Sequence, residues 1–156
     1  MKKTLFMIAM AAAIAACNDS GTENNADKPA DSNALQTAAK PEDLLNKDWR
    51  LKELNGSSIV LDTTFPNYPH MKFENLTNVG GNLGCNGFGG NVSVGGADSI
   101  TISQVVSTQM ACPNLDIENR FREALENTKT YRIDGNTLLL NNDKKEVIAK
   151  LENTKN

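Results

Sequence analysis

Hydrophobic and polar residues alternate along most of the chain between residues 44 and 152. Because successive side chains of a strand point to opposite faces, this alternation predicts antiparallel strands with one buried face and one face in water. Asn55-Gly56 and Asp134-Gly135 tolerate positive φ, so each can close a tight hairpin. The apolar positions of the runs are Trp49 and Leu51, Met71 and Phe73, Val79 and Leu83, Val92 and Val94, Ile100 and Ile102, Tyr131 and Ile133, Leu138 and Leu140, and Val147 and Leu151.

One segment has a helical period instead. Ile117, Phe121, Ala124 and Leu125 recur at i, i+4, i+7 and i+8, and Asn127 can end the helix that this spacing predicts. The polar side of the helix is expected to carry Glu118, Arg120, Arg122, Glu123 and Glu126. We therefore predict an α+β fold, with a strongly curved antiparallel sheet or partly open barrel of about seven or eight strands and one amphipathic helix. Within it, Trp49, Phe121 and Leu125 should be buried.

The N-terminus has the organisation of a lipoprotein signal peptide. Lys2 and Lys3 precede an apolar stretch that is shorter than the roughly 20 residues that cross a bilayer. Ile14-Ala15-Ala16-Cys17 resembles the bacterial lipobox, which predicts a signal peptide over residues 1–16 and lipidation of Cys17. The alternative is an ordinary secretory signal that is cut after Ala16, with an incidental thiol at Cys17.

Lipidation of Cys17 would place the mature N-terminus at a membrane, because acyl chains contribute about 0.8 kcal/mol for each buried CH₂ group. We expect a lipid-anchored protein of the bacterial cell envelope. The outer membrane is the expected location, since Asn18 follows the cysteine instead of the aspartate that signals retention at the inner membrane.

Residues 17–43 are predicted to be the lipidated cysteine and a disordered tether, and residues 44–156 the folded domain. Between positions 18 and 43 Leu35 is the one large aliphatic residue, too little apolar surface to offset the entropy of ordering. The whole chain carries 16 basic and 19 acidic side chains, a net charge of -3. This acidic balance argues against a nucleic-acid partner, since phosphate neutralisation needs clustered Lys and Arg.

Eight of the 11 glycines fall between Gly80 and Gly96. A phosphate-binding loop would require a glycine followed by lysine, and no glycine in the sequence has that neighbour. We interpret the run as bends and close backbone contacts of a curved sheet, with a ligand loop as the alternative. We expect no cofactor.

Cys85 and Cys112 are too far apart in sequence for a CxxC motif. In an exported protein the simplest interpretation is a disulfide that ties the turn around Cys85 to the segment before the helix. Two alternatives stay open: a reduced, buried pair, and a reactive thiol or metal-ligand pair. His70 is the sole histidine, expected at the exposed start of a strand, and with it a metal site would lack a fourth ligand. We expect no metal and no catalytic residues.

Six short sequence blocks follow one another between residues 46 and 152. They are Trp49-Arg50-Leu51, Asn55-Gly56, Gly84-Cys85-Asn86-Gly87-Phe88, Ser107-Thr108-Gln109-Met110-Ala111-Cys112-Pro113, the helix positions Glu118, Phe121, Ala124 and Leu125, and Tyr131-Arg132-Ile133-Asp134-Gly135 followed by Leu138 and Leu140. In this order and spacing they resemble the META domain of HslJ-like proteins. The resemblance implies a small β-rich domain with a helix, and envelope proteins linked to heat stress.

Two hypotheses about function follow. The favoured one is a non-catalytic envelope lipoprotein that binds an envelope protein or a small apolar ligand in or beside its sheet and protects the envelope under stress. The rival is a thiol-dependent enzyme or redox factor that uses Cys85 and Cys112.

Overall fold

The computed structural model describes residues 39–64 and 67–154. The predicted signal peptide, Cys17 and the tether up to residue 38 lie outside them. The elements in chain order are a short 3-10 helix (Pro41–Leu44), β1 (Trp49–Leu54), β2 (Ser57–Ser58), β3 (His70–Phe73), β4 (Asn78–Asn82), β5 (Gly87–Gly95), β6 (Ser99–Ser107), α1 (Leu115–Asn127), β7 (Thr130–Asp134), β8 (Thr137–Asn141) and β9 (Val147–Asn153).

The strands form one antiparallel sheet that curves until its last strand, β9, pairs with β1. Its order is β2-β1-β3-β4-β5-β6-β7-β8-β9, with an additional pairing of β1 with β9. β6 and β7 share a single pair, Ser99 with Thr130, and α1 lies between them in the chain. The α+β prediction of a curved antiparallel sheet with one helix is confirmed. The structure has nine strands, more than expected, because the two-residue β2 adds a short pairing with β1.

The core lies between the concave face of the sheet and α1, which packs on β6 and also touches β1, β8 and β9. Trp49, Phe121 and Leu125 are fully buried, as predicted. The indole Nε1 of Trp49 donates to the carbonyl oxygen of Leu44 at 3.0 Å, so the 3-10 helix and Leu44 are part of the folded unit. Neither helix in the described residues is long and apolar enough to cross a membrane.

The two predicted hairpins are present. Asn55 and Gly56 have φ values of 49° and 74° and connect the paired residues Leu54 and Ser57. In the second hairpin Asp134 pairs with Thr137, so the turn is formed by Gly135 and the residue after it, one position later than the predicted dipeptide. Gly135 has a φ of 56°, a conformation that glycine adopts without a steric cost.

The alternation predicts that Val147 shares the buried face of its strand with Leu151, but the side chain of Val147 is 42% exposed. The pairing of β8 with β9 shifts between Leu140 opposite Ala149 and Asn141 opposite Val147, which leaves Ile148 as an extra residue. A bulge of one residue reverses the direction of the side chains beyond it, so Ile148 is buried in place of Val147.

The glycine run lies in β4, β5 and the connections beside them, as expected for a curved sheet. At Gly81 the strands approach so closely that an added Cβ would lie 2.1 Å from the backbone oxygen of His70 on β3. His70 itself begins β3 at an intermediate exposure, and its Nδ1 lies 2.9 Å from the carbonyl oxygen of Tyr68. The close approach supports the interpretation of Gly81 as a packing position, whereas an added Cβ at Gly95 or Gly96 meets no atom within 4 Å.

Candidate functional site

Cys85 and Cys112 form a disulfide between the β4–β5 turn and the segment that leads into α1. Their Cα atoms are 6.2 Å apart, within the range of protein disulfides. Cys85 is buried, and Cys112 is at intermediate exposure. Of the three interpretations of this pair, the structure therefore has the disulfide.

Asn86, directly after the disulfide cysteine, holds the segment between β6 and α1. Its Oδ1 accepts hydrogen bonds from Thr108 Oγ1 and Met110 N, both at 2.8 Å. Its Nδ2 donates to the carbonyl oxygen of Met110 at 3.1 Å. Asn86 is only 1% exposed, so these bonds satisfy a side chain that has almost no access to water.

Glu118 corrects the sequence prediction, which placed it on the polar side of the helix. It is 2% exposed, and its carboxylate faces Asn86 instead of water. Oε2 accepts from the backbone N of Asn86 at 2.9 Å, and Asn86 Nδ2 donates to both carboxylate oxygens at 3.1 and 3.0 Å. Arg122, one turn further along, donates from Nη2 to Oε1 at 3.3 Å and also to Ser107 Oγ. The buried negative charge is thus paired and hydrogen-bonded.

The sequence contained a signal for this site that the pattern of polar residues hid. Glu118 lies at i-3 and i-7 from Phe121 and Leu125, which places it on the apolar stripe of α1. A carboxylate on that stripe is expected to meet donors of its own, here those of Asn86 and Arg122. The disulfide pair was predicted, and the polar contacts among Asn86, Glu118 and Arg122 were missed.

The two sulfur atoms of the disulfide and a Glu118 carboxylate oxygen lie within 4.8 Å of one another. One metal ion could contact all three atoms only if the sulfurs were not bonded to each other. His70, considered as a ligand or base from the sequence, is not a member of this group. The chemistry of the cluster is therefore that of two sulfurs and one buried carboxylate.

A surface groove of about 490 Å³ lies beside the cluster, formed by residues 59–63 together with Asn67 and Tyr68. Its walls are hydrogen-bonded to the site. Asp62 N donates to Asn114 Oδ1 at 2.9 Å, and Asn67 Nδ2 donates to the carbonyl oxygen of Cys85 at 3.3 Å. Val60 is 85% exposed, so the groove has an apolar side chain that is almost entirely in water.

Asp62 at the edge of the groove is held in its charged form. The hydroxyl of Thr64 and then the backbone N–H of Thr64 donate to its carboxylate, which lowers the pKa of Asp62. The groove therefore combines an exposed apolar part with a permanent negative charge at neutral pH.

Comparisons with known proteins identify the fold. Three solved structures align with the chain: an NMR structure at 22% identity, an NMR structure of a protein from Burkholderia xenovorans at 17%, and the crystal structure of a DUF4847 family protein from Bacteroides vulgatus at 20%. The first has a TM-score of 0.55 and covers 73% of this chain and 94% of its own. The Burkholderia xenovorans structure has a TM-score of 0.59 and covers 88% of this chain and 99% of its own. The Bacteroides vulgatus structure has a TM-score of 0.54 and covers 74% of this chain and 98% of its own. At these identities the likeness is one of fold.

A comparison with curated proteins finds no match. The family model of the META domain matches residues 42–155, which includes the disulfide, Asn86, Glu118 and every strand of the sheet. The chain therefore belongs to the META domain family.

Proposed function

We propose that this protein is a lipid-anchored envelope protein whose META domain is a non-catalytic binding module for a protein partner. The lipobox that ends at Cys17 supports the anchor. The unpaired sheet edge beside Val60 is the observation that carries the binding function. By its family resemblance, the module serves envelope integrity under stress, and Asn18 favours the outer membrane.

The edge begins at β2, the first strand in the order of the sheet. Ser57 and Ser58 pair with β1 on one side, and Ile59 N extends this pairing by donating to the carbonyl oxygen of Lys52 at 3.0 Å. Within the described residues, the backbone groups of Val60 and Leu61 make no hydrogen bond. Free backbone groups beside exposed apolar side chains are a template for one more strand.

A partner segment in extended conformation fits this edge better than a small ligand does. It could pair its backbone with residues 57–61 and place an apolar side chain against Val60 and Tyr68. A small apolar ligand would cover the side chains but leave the backbone groups without a partner. We therefore infer an envelope protein with an extended, apolar segment as the partner.

The same geometry disfavours the rival thiol enzyme. Nucleophilic cysteines react as thiolates, and a buried carboxylate such as Glu118 beside the sulfurs opposes a second negative charge. A nearby positive charge activates a cysteine because it stabilises the thiolate. The positive group beside this cluster is Arg122, and its Nη2 already pairs with Glu118.

Site-directed photocrosslinking in intact cells tests the proposal. A photoreactive residue replaces Tyr68 in the groove or, as the matched control, Val147, which has a similar exposure on β9. We expect a discrete protein adduct from position 68 and none from position 147. The adduct should disappear when Val60→Pro is added, because proline removes the N–H and obstructs strand pairing.

Thermal unfolding of the Val60→Pro variant checks that its domain is intact. Equal crosslinking from the two positions, or an adduct that survives Val60→Pro, would contradict strand addition. An adduct of lipid mass would identify a small apolar ligand and would also overturn the protein partner.

A further inference from the structure

We propose that the reduced form of this protein binds one zinc ion between Cys85, Cys112 and Glu118. This site is separate from the edge at Val60. It rests on the three ligand atoms that lie within 4.8 Å of one another, two of them soft sulfurs and one a carboxylate oxygen. Two thiolates and a carboxylate are ligands that zinc takes in a tetrahedral site, with water in the fourth position.

Glu118 has the capacity to bind a metal without losing its present partners. Its carboxylate offers about four acceptor positions. All four are in use: Oε2 accepts from the backbone N–H and from Nδ2–H of Asn86, and Oε1 accepts from the same Nδ2–H and from Nη2–H of Arg122. Because one Nδ2–H is shared between the two oxygens, a metal on one oxygen would replace one arm of this shared bond, and all three donors would stay bonded to the carboxylate. The three donors would orient the carboxylate as outer partners of a metal ligand commonly do.

The charges also balance. Two thiolates, the Glu118 carboxylate, a zinc ion and the Arg122 guanidinium sum to zero, whereas the two thiolates without the metal would leave the buried cluster strongly negative. A carboxylate that opposes free thiolates thus favours a cation between them. Cys112 is at intermediate exposure, which gives the ion and its water a route to the site.

The site forms by exchange of one cross-link for another. A dithiol reductant transfers two electrons and two protons to the Cys85–Cys112 disulfide, which becomes two thiols while the reductant becomes a disulfide. Zinc then displaces the two thiol protons and binds both sulfurs. The Cα atoms are 6.2 Å apart, so rotation of the side chains can open space for the ion. The β4–β5 turn would stay tied to the start of α1 in both redox states.

Titration of the full chain with cobalt, a spectroscopic substitute for zinc, tests the site. The reduced protein, kept under argon with a phosphine, should bind one equivalent and show thiolate-to-cobalt charge-transfer absorption and the visible bands of tetrahedral cobalt. Zinc should abolish both signals. The oxidised protein should show neither, because its sulfurs are bonded to each other. Equal binding by the oxidised and reduced proteins would overturn the proposal.

The contribution of Glu118 is tested with Glu118→Gln and with Glu123→Gln as its matched control, an exposed glutamate on the same helix. The first should weaken zinc binding by roughly tenfold or more, and the second should leave it unchanged. Equal affinities of the two variants would contradict a carboxylate ligand. Proton release provides a check on the unaltered chain: near neutral pH two protons should leave per zinc bound, and release of none would exclude thiolate ligation.

Discussion

At the residue scale, the disulfide and the Asn86–Glu118 pair act at the same point of the fold. Glu118 carries its charge at 2% exposure because Asn86 and Arg122 donate to it, and Asn86 in turn holds Met110. Buried polar groups of this kind are costly when one partner is lost, because the other is left unsatisfied. The cross-link and the polar pair together position the start of α1 against the β4–β5 turn.

The two cysteines should be strongly coupled in a mutant cycle. Cys85→Ser and Cys112→Ser remove the same cross-link, which closes a loop with a sequence separation of 27. Each single variant should lose about 3.5 kcal/mol of unfolding free energy, and the double variant little more. Urea unfolding of the oxidised parent, the two single variants and the double variant measures these free energies. Additive losses, or one variant that is stable and inactive beside an active other, would instead indicate a thiol with chemistry of its own.

The burial of Tyr131 predicts that the folded domain loses stability at alkaline pH. Its side chain is buried and its hydroxyl has no hydrogen-bond partner among the described residues. Burial, followed by the charges of Asp43, Glu42 and Asp98, raises the pKa of Tyr131 above its usual 10.0. The neutral phenol is favoured in the folded state, so its contribution is complete below pH 10 and declines as the pH rises toward the folded pKa.

Tyr131→Phe should abolish this alkaline decline. At neutral pH the variant should be as stable as the parent or up to about 1 kcal/mol more stable, since it removes an unpaired buried hydroxyl. Urea unfolding between pH 7 and pH 11 measures both effects, with Tyr68→Phe on the surface as the control. A neutral-pH loss of several kcal/mol would mean that the hydroxyl has a structural partner.

At the scale of the elements, β3 and β4 are in close backbone contact at Gly81. Gly81 lies opposite Met71 in this pairing, and the backbone oxygen of His70 occupies the space of a side chain at position 81. Glycine there permits an approach that a residue with a Cβ cannot make. The close pairing of β3 with β4 at this position therefore depends on the absence of a side chain at residue 81.

Gly81→Ala should force β3 and β4 apart and cost about 1–3 kcal/mol of stability or more. Gly95→Ala is the matched control, since it also lies on a strand and a Cβ there meets no atom within 4 Å. Thermal unfolding compares the two variants. Similar melting temperatures would show that the strands can absorb the methyl group.

The docking of α1 should depend on Phe121, which is fully buried and meets Phe88 edge-to-face with 6.4 Å between ring centroids. Phe121→Ala should cost about 3–5 kcal/mol, a large share of the stability of a domain of this size. Glu123→Ala on the exposed side of α1 should change it by less than about 0.5 kcal/mol. Chemical denaturation measures both, and a small loss at Phe121 would contradict a core centred on this ring.

At the scale of the whole molecule, the proposed attachment to the membrane depends on Cys17, which lies outside the described residues. Cys17→Ser should leave uncleaved precursor or release soluble protein, because no acyl chain can be added. Fractionation of cells followed by intact mass measurement distinguishes these products from the lipidated form. Mature protein that remains membrane-bound after this substitution would contradict lipid anchoring.

Local sequence determined the kinds of element. Period-two alternation identified strands such as those of Trp49 and Ile100, and the spacing of Ile117, Phe121 and Leu125 identified α1. Turn residues located the first hairpin and came within one position of the second, since tolerance of positive φ is a property of the residue itself. A pair of cysteines in a chain expected to be exported favoured the disulfide, which the structure has. These features depend on a residue and its near neighbours, which a single sequence displays.

Only the tertiary structure decided how the elements meet. Periodicity reports the direction of a side chain relative to its own strand or helix, but neither its partner nor an extra residue in the pairing. The bulge at Ile148 therefore turned Val147 outward, and β1 paired with β9 across almost the whole domain sequence. Glu118 was buried because Asn86, 32 residues away, supplies its donors. A charged residue can lie on an apolar stripe only where another segment satisfies it, and that segment is brought there by the fold.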